Sequence, residues 1–163
     1  MSTLALTPDQ DAIHGEIFIA APPERVYQAI TDPLQLLQWW GQSGMYRCVD
    51  WEADLRVGGK WKSVGTSEAG GQFQVEGEYL EIVPPKLLIY TWRSSWRDFR
   101  ESKVRWDLTP SNGGTLLKIR HSGLAEDPEG AKNYGGGWPR VLAWMQAFVE
   151  RGETVDTRNA GPS

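Results

Sequence analysis

The sequence predicts an α+β fold in which a run of antiparallel strands is followed by one long C-terminal helix, with two short helices after the first strand. Three observations carry this. Between about residues 46 and 121 apolar side chains alternate in short segments, separated by turns rich in Gly and Pro, the pattern of half-buried strands joined in hairpins. Near the end the period changes: Trp138, Val141, Leu142, Met145, Phe148 and Val149 form a stripe at helical spacing. Between the first strand and the rest, Pro23 and Pro33 each stand where a short helix would begin.

In chain order, residues 12–20 place Ile13, Gly15, Ile17 and Ile19 on one face of a strand. Pro22-Pro23 ends it, and Glu24 favours the N-terminus of a helix that runs to about Thr31 and buries Val26, Ala29 and Ile30. Asp32-Pro33 stops that helix and starts a second, with Leu34, Leu37 and Trp40 at helical spacing. Trp39 would lie about 100° round from Trp40, so the two rings are expected in different environments, Trp40 in the core and Trp39 at a rim. Strands follow over 46–53, 60–64, 72–83, 86–94, 102–109 and 115–121. Ser111-Asn-Gly-Gly114 marks a hairpin turn between the last two. Gly135-Gly-Gly-Trp-Pro139 breaks the chain, and the final helix is expected from Pro139 to about Arg151. The expected domain is a single unit over 12–152, with flexible tails at 1–11 and 153–163.

Composition narrows the function. The 163 residues carry a formal net charge of −4 with no two basic residues adjacent, which argues against nucleic acid. Cys48 is the only cysteine, so no intrachain disulfide forms and a reducing, cytoplasmic home is expected. There is no apolar run of membrane-spanning length and no signal-peptide pattern at the start. Two well-separated histidines and one cysteine offer no metal site. No nucleophile elbow or phosphate-cradling glycine motif is present, and no cofactor is implied. Nine tryptophans are the unusual feature. They either fill a core or wall a cavity.

The chain resembles the Bet v 1-like, START-related (SRPBCC) helix-grip superfamily, in the branch of the activator of Hsp90 ATPase homologue 1. The resemblance rests on Ala21-Pro-Pro-Glu-Arg-Val-Tyr27, Thr31-Asp-Pro33, Trp39-Trp40, Asp54-Leu-Arg-Val-Gly-Gly-Lys-Trp61 and Gly77-Glu-Tyr-Leu-Glu-Ile-Val-Pro-Pro85. It continues through Tyr90-Thr-Trp92, Gly114-Thr-Leu116, His121-Ser-Gly-Leu124 and Gly137-Trp138. It implies a curved antiparallel sheet of about six or seven strands gripping the C-terminal helix. A cavity between them often binds apolar molecules in proteins of this kind.

Under that architecture the inward face of the sheet offers Trp61, Phe73, Val75, Tyr79, Tyr90, Trp92, Trp106, Ile119 and His121 as ligand-binding residues. The helix offers Trp138, Leu142 and Met145, and Trp39 would stand at the entrance. The alternative is that these side chains fill a solid core. His121 is either an orienting or acid–base group or a structural histidine with its hydrogen bonds satisfied. Arg56 and Arg93 would meet an acidic group at the mouth or lie in solvent. Glu76 and Glu78 fall on the outward face, which leaves no buried carboxylate pair. No residue is assigned a catalytic role, and whether the protein is an enzyme stays open. The expected function is binding of a small hydrophobic or aromatic molecule. The alternatives are a polyketide cyclase- or dehydratase-like enzyme using the same pocket and a chaperone-related protein-interaction domain. A homodimer and a chaperone partner both stay open.

Overall fold

The alternating segments pair into one curved antiparallel sheet in the computed structural model, which describes residues 3–8 and 10–157. Its strands are β1 (Thr3–Leu6), β2 (Ile13–Ile19), β3 (Gly41–Gln42), β4 (Tyr46–Ala53), β5 (Lys60–Ser67), β6 (Gln72–Val83), β7 (Leu87–Ser94), β8 (Glu101–Ser111) and β9 (Gly114–Ser122). The order across the sheet is β1-β2-β9-β8-β7-β6-β5-β4-β3. Strands β3 to β9 form a meander, and β2 closes it by pairing with the last strand, Ile13 opposite His121 and Ile19 opposite Thr115. The seven longer strands are those the alternation predicts; β1 and β3 are short additions at the two edges.

The helices are α1 (Pro23–Thr31), α2 (Pro33–Trp39) and α3 (Pro128–Arg151). The Asp32 side chain accepts from the Leu34 N–H at 3.1 Å and caps α2. The concave face of the sheet packs on α3 through side chains that are fully buried, including Leu88, Val104, Trp106, Leu117, Leu142 and Met145.

Two expectations are corrected. First, α3 does not begin at Pro139. It begins at Pro128, where the Asp127 carboxylate accepts from the Gly130 N–H at 3.1 Å and Pro128 fills the first helical position. Gly135, Gly136, Gly137 and Pro139 therefore lie inside the helix. Each interior glycine costs about 1 kcal/mol and a proline about 3 kcal/mol. Tertiary packing outweighs this, because Ala131, Tyr134 and Trp138 extend the buried stripe of Val141, Leu142 and Met145 by two turns. Second, the segments expected as loose tails are partly fastened. Thr3 to Leu6 pairs with β2, and near the other end Val155 is buried with its N–H bonded to the Gln38 carbonyl at 2.7 Å. Residues 1, 2, 9 and 158–163 of those tails lie outside the described residues.

Candidate functional site

Two missing side chains hollow out one half of the grip. Trp61 on β5 faces inward directly opposite Gly77 on β6. A Cβ at Gly77 would run into the Trp61 indole nitrogen and the Thr91 carbonyl, and one at Gly65 would run into the Phe73 ring. The large rings thus lie over glycines instead of projecting to the middle of the interior.

The neighbouring strand turns extra residues inward. A β-bulge between Cys48 and Asp50 in β4 shifts the alternation by one residue. Tyr46 and Cys48 face the interior before it, and Trp51 and Ala53 after it. From the helix side, Tyr134, Trp138 and Val141 form a wall stripe, while Asn133, Gly137 and Arg140 run parallel to it along the rim. The tip of α2 contributes Trp40. Together these elements border a cavity of about 430 Å³, whose rim also carries Met45, Gln72 and Trp96.

The wall braces itself. The Trp40 ring lies 5.4 Å from Trp51, 6.2 Å from Trp92 and 6.0 Å from Trp138. Trp51 stacks on Trp61 at 5.9 Å and Trp61 lies 5.7 Å from Trp92, spacings at which ring pairs attract. Its hydrogen bonding is incomplete. The Trp61 Nε1 donor is buried without a partner. Trp92 Nε1 lies beside the Tyr134 hydroxyl but makes no hydrogen bond of ordinary geometry.

Of the residues the sequence nominated, Trp61, Phe73, Val75, Trp92 and Trp138 border the cavity. Tyr79, Tyr90, Trp106, Ile119, Leu142 and Met145 do not; they are buried in the packed half of the core. Tyr90 accepts from Trp106 Nε1 at 3.0 Å. The tryptophan pair is the reverse of the expectation. Trp39 is fully buried and donates to the Ala29 carbonyl at 2.8 Å, while Trp40 borders the cavity. The two rings stack at 5.0 Å, because α2 ends at Trp39 and Trp40 has extended backbone, φ −85° and ψ 102°, so helical spacing no longer separates them. Arg56 and Arg93 are held by Asp54 and Glu101, and neither borders the cavity.

His121 sits behind the wall, not on it. Trp138 Nε1 donates to its Nδ1 at 3.0 Å. An indole N–H can only donate, so Nδ1 is the bare nitrogen and Nε2 carries the hydrogen. Nε2 donates to Ser102 Oγ at 2.6 Å, and Ser102 passes its own hydrogen to the Trp92 carbonyl at 3.3 Å. Burial depresses the His121 pKa to about 3, and the Tyr134 ring stacks on it at 4.5 Å. Both nitrogens are engaged within the protein. Burial also pushes the Cys48 thiol up to about 11, opposed by a hydrogen bond from Ser63, and raises the Tyr46 phenol. Neither is ionised near neutrality. Among the described residues, no three His, Cys, Asp or Glu side chains cluster as a metal site, and no helix is long and apolar enough to cross a membrane.

Sequence reasoning missed Trp40, Tyr46, Trp51, Tyr134, Gly137 and Arg140. The bulge that turns Trp51 inward leaves no mark in the alternation. Placing the helix start at Pro139 removed Tyr134 and Gly137 from consideration.

A family model described as Activator of Hsp90 ATPase homolog 1-like protein matches residues 20–150. Among solved structures, protein CV1439 from Chromobacterium violaceum is 35% identical, covers 86% of this chain and 97% of its own, and superposes with a TM-score of 0.74. CalU16 from Micromonospora echinospora is 22% identical over 93% of this chain and 85% of its own, with a TM-score of 0.63. DynU16, a protein in the dynemicin biosynthetic locus, is 21% identical over 91% of this chain and 50% of its own, with a TM-score of 0.72. The last two share the fold. Comparison with curated proteins found no match.

Proposed function

For this chain, which belongs to the Activator of Hsp90 ATPase homolog 1-like family of helix-grip proteins, we propose a ligand-binding role. Its ligand is an apolar, ring-containing small molecule held between β4–β6, the tip of α2 and the N-terminal half of α3. The observation that carries this reading is the wall. Six of the nine tryptophans border one open space, where a packed core at native density would leave none. The cavity of about 430 Å³ is of the size that holds small molecules, about 300–1,000 Å³. Burial against indole faces would contribute about 25 cal/mol per Å² before ordering costs.

Neither alternative gains a specific observation. A cyclase or dehydratase needs an acid–base group free to reach its substrate, and His121 has both nitrogens occupied. A partner-binding patch built on Trp96 and Trp144 loses Trp144, which is buried and donates to Gln42 Oε1 at 3.3 Å.

The test uses N-phenyl-1-naphthylamine, a neutral dye that fluoresces in apolar sites. A Cβ added at Gly137 meets no atom within 4 Å, so Gly137→Leu places its side chain in the open space while raising helix propensity by about 0.8 kcal/mol. The expected result is saturable binding by the natural protein, at least ten-fold weaker in the variant, whose melting temperature is unchanged or higher. No binding by the natural protein, or equal binding by the variant, would refute the role.

A further inference from the structure

The charge distribution around the cavity says more about the ligand than its apolar wall does. The chain carries 21 Asp and Glu residues against 17 Lys and Arg, yet among the described residues no carboxylate borders the cavity and its one charged residue is Arg140. Other arginines are neutralised locally: Arg47 by Asp156, Arg56 by Asp54, Arg93 by Glu101, Arg105 by Asp107 and Arg151 by Glu153. Arg140 holds no carboxylate among the described residues.

Its position on α3 gives this meaning. Asn133, Gly137 and Arg140 follow one another at i, i+4 and i+7, so they share one side of the helix along the rim. Gly137 leaves a window between two polar groups. Asn133 is oriented, because its Oδ1 accepts from Trp96 Nε1 at 2.9 Å; its amide nitrogen therefore remains a donor facing outward from that contact. Arg140 presents only donors. The rim around the window thus offers hydrogen-bond donors and positive charge, while the interior offers rings.

Resting on the ligand-binding role argued above, we propose that the ligand is an aromatic acid. Its ring system lies against the indole wall, and its carboxylate, or an equivalent oxyanion, passes the Gly137 window to pair with the Arg140 guanidinium. Guanidinium and carboxylate match as a planar two-bond pair. The pair would sit at the half-open rim, where neither charge need be fully desolvated and the penalty of a buried ion pair is avoided.

The experiment compares two dyes that share a ring system, neutral N-phenyl-1-naphthylamine and its sulfonated relative 8-anilinonaphthalene-1-sulfonate. The ratio of their affinities is read in four proteins: the natural chain, Arg140→Gln, Arg140→Lys and Arg120→Gln. Arg120 is exposed on β9 and does not border the cavity, so its variant changes net charge alone. The expected result is a ratio favouring the sulfonate that falls roughly ten-fold in Arg140→Gln, recovers mostly in Arg140→Lys, and stays put in Arg120→Gln. A ratio unmoved by Arg140→Gln, or moved equally by Arg120→Gln, overturns the aromatic-acid assignment, and the neutral dye's binding leaves the broader role standing. If neither dye binds the natural protein, both fall together.

Discussion

At the scale of single residues, His121 is a buried base kept neutral by its surroundings, and this makes a pH signature. The ordinary value is 6.5, and burial lowers it to about 3 in the folded protein. Below pH 6.5 the unfolded chain takes up a proton that the folded chain refuses. The stability that His121 contributes as a neutral group is therefore complete above about pH 6.5 and declines as pH falls toward 3, by up to about 1.4 kcal/mol per pH unit. Urea unfolding between pH 5 and 7, where carboxylates barely titrate, should show this slope in the natural protein and its loss in His121→Gln. Equal slopes in the two would mean that His121 is protonated in the folded state. Alternation alone put His121 on the inward face, and it did so correctly. It could not tell a histidine that looks into a cavity from one capped by Trp138 and Ser102, because those partners come from distant segments. Trp39 and Trp40 failed differently: the helical angle between them was sound until the helix ended between them.

At the scale of elements, α3 carries a sequence that reads as a break and behaves as a helix. Three consecutive glycines and Pro139 weaken its middle, and two ends hold it. Asp127 caps the N-terminus and pairs with Arg97 from the 3-10 turn Ser95–Arg97, which holds the Asp127 carboxyl below its ordinary pKa. At the other end Gly152 takes the left-handed conformation, φ 70°, that closes helices. The weak middle can thus be repaired without touching the cavity. Gly136 is exposed, does not border it, and has open space where a Cβ would stand. Gly136→Ala should stabilise the fold by about 0.4–1 kcal/mol, read as a higher urea midpoint with dye binding unaltered. Asp127→Ala should cost about 1–2 kcal/mol through loss of the cap and the Arg97 contact. If Gly136→Ala instead destabilised, the segment would not be helical in solution. The seven longer strands were legible because a two-residue period runs through most of each, even in β4, where the bulge between Cys48 and Asp50 interrupts it. This helix start was not, because local propensity was overruled by burial of Ala131 and Tyr134.

At the scale of the whole molecule, the sheet has two unlike halves. On the β7–β9 side, Leu88, Val104, Trp106, Leu117 and Ile119 are sealed at 0–2% exposure, and β2 covers β9 along its length. On the β4–β6 side, Tyr46, Trp51 and Phe73 are only half-buried around the cavity, and beyond β4 lies only the two-residue β3. Fewer packed atoms oppose opening there, so local opening should cost less free energy than it does in β8 and β9. Amide hydrogen exchange should therefore be faster in β4 and β5 than in β8 and β9. A ligand in the cavity must be released before the β4–β6 side can open. At a concentration about 100 times its Kd it should slow exchange there about 100-fold, equivalent to about 2.7 kcal/mol. The β1 edge pairs with β2 away from the cavity, so its fraying releases no ligand and its exchange should not change. Peptide-resolved exchange with and without saturating N-phenyl-1-naphthylamine reads all three regions at once. Slowing confined to β4–β6 and to amides that need global unfolding would place the dye where the tryptophans are, whereas slowing that includes β1 would place it at the opposite edge of the sheet.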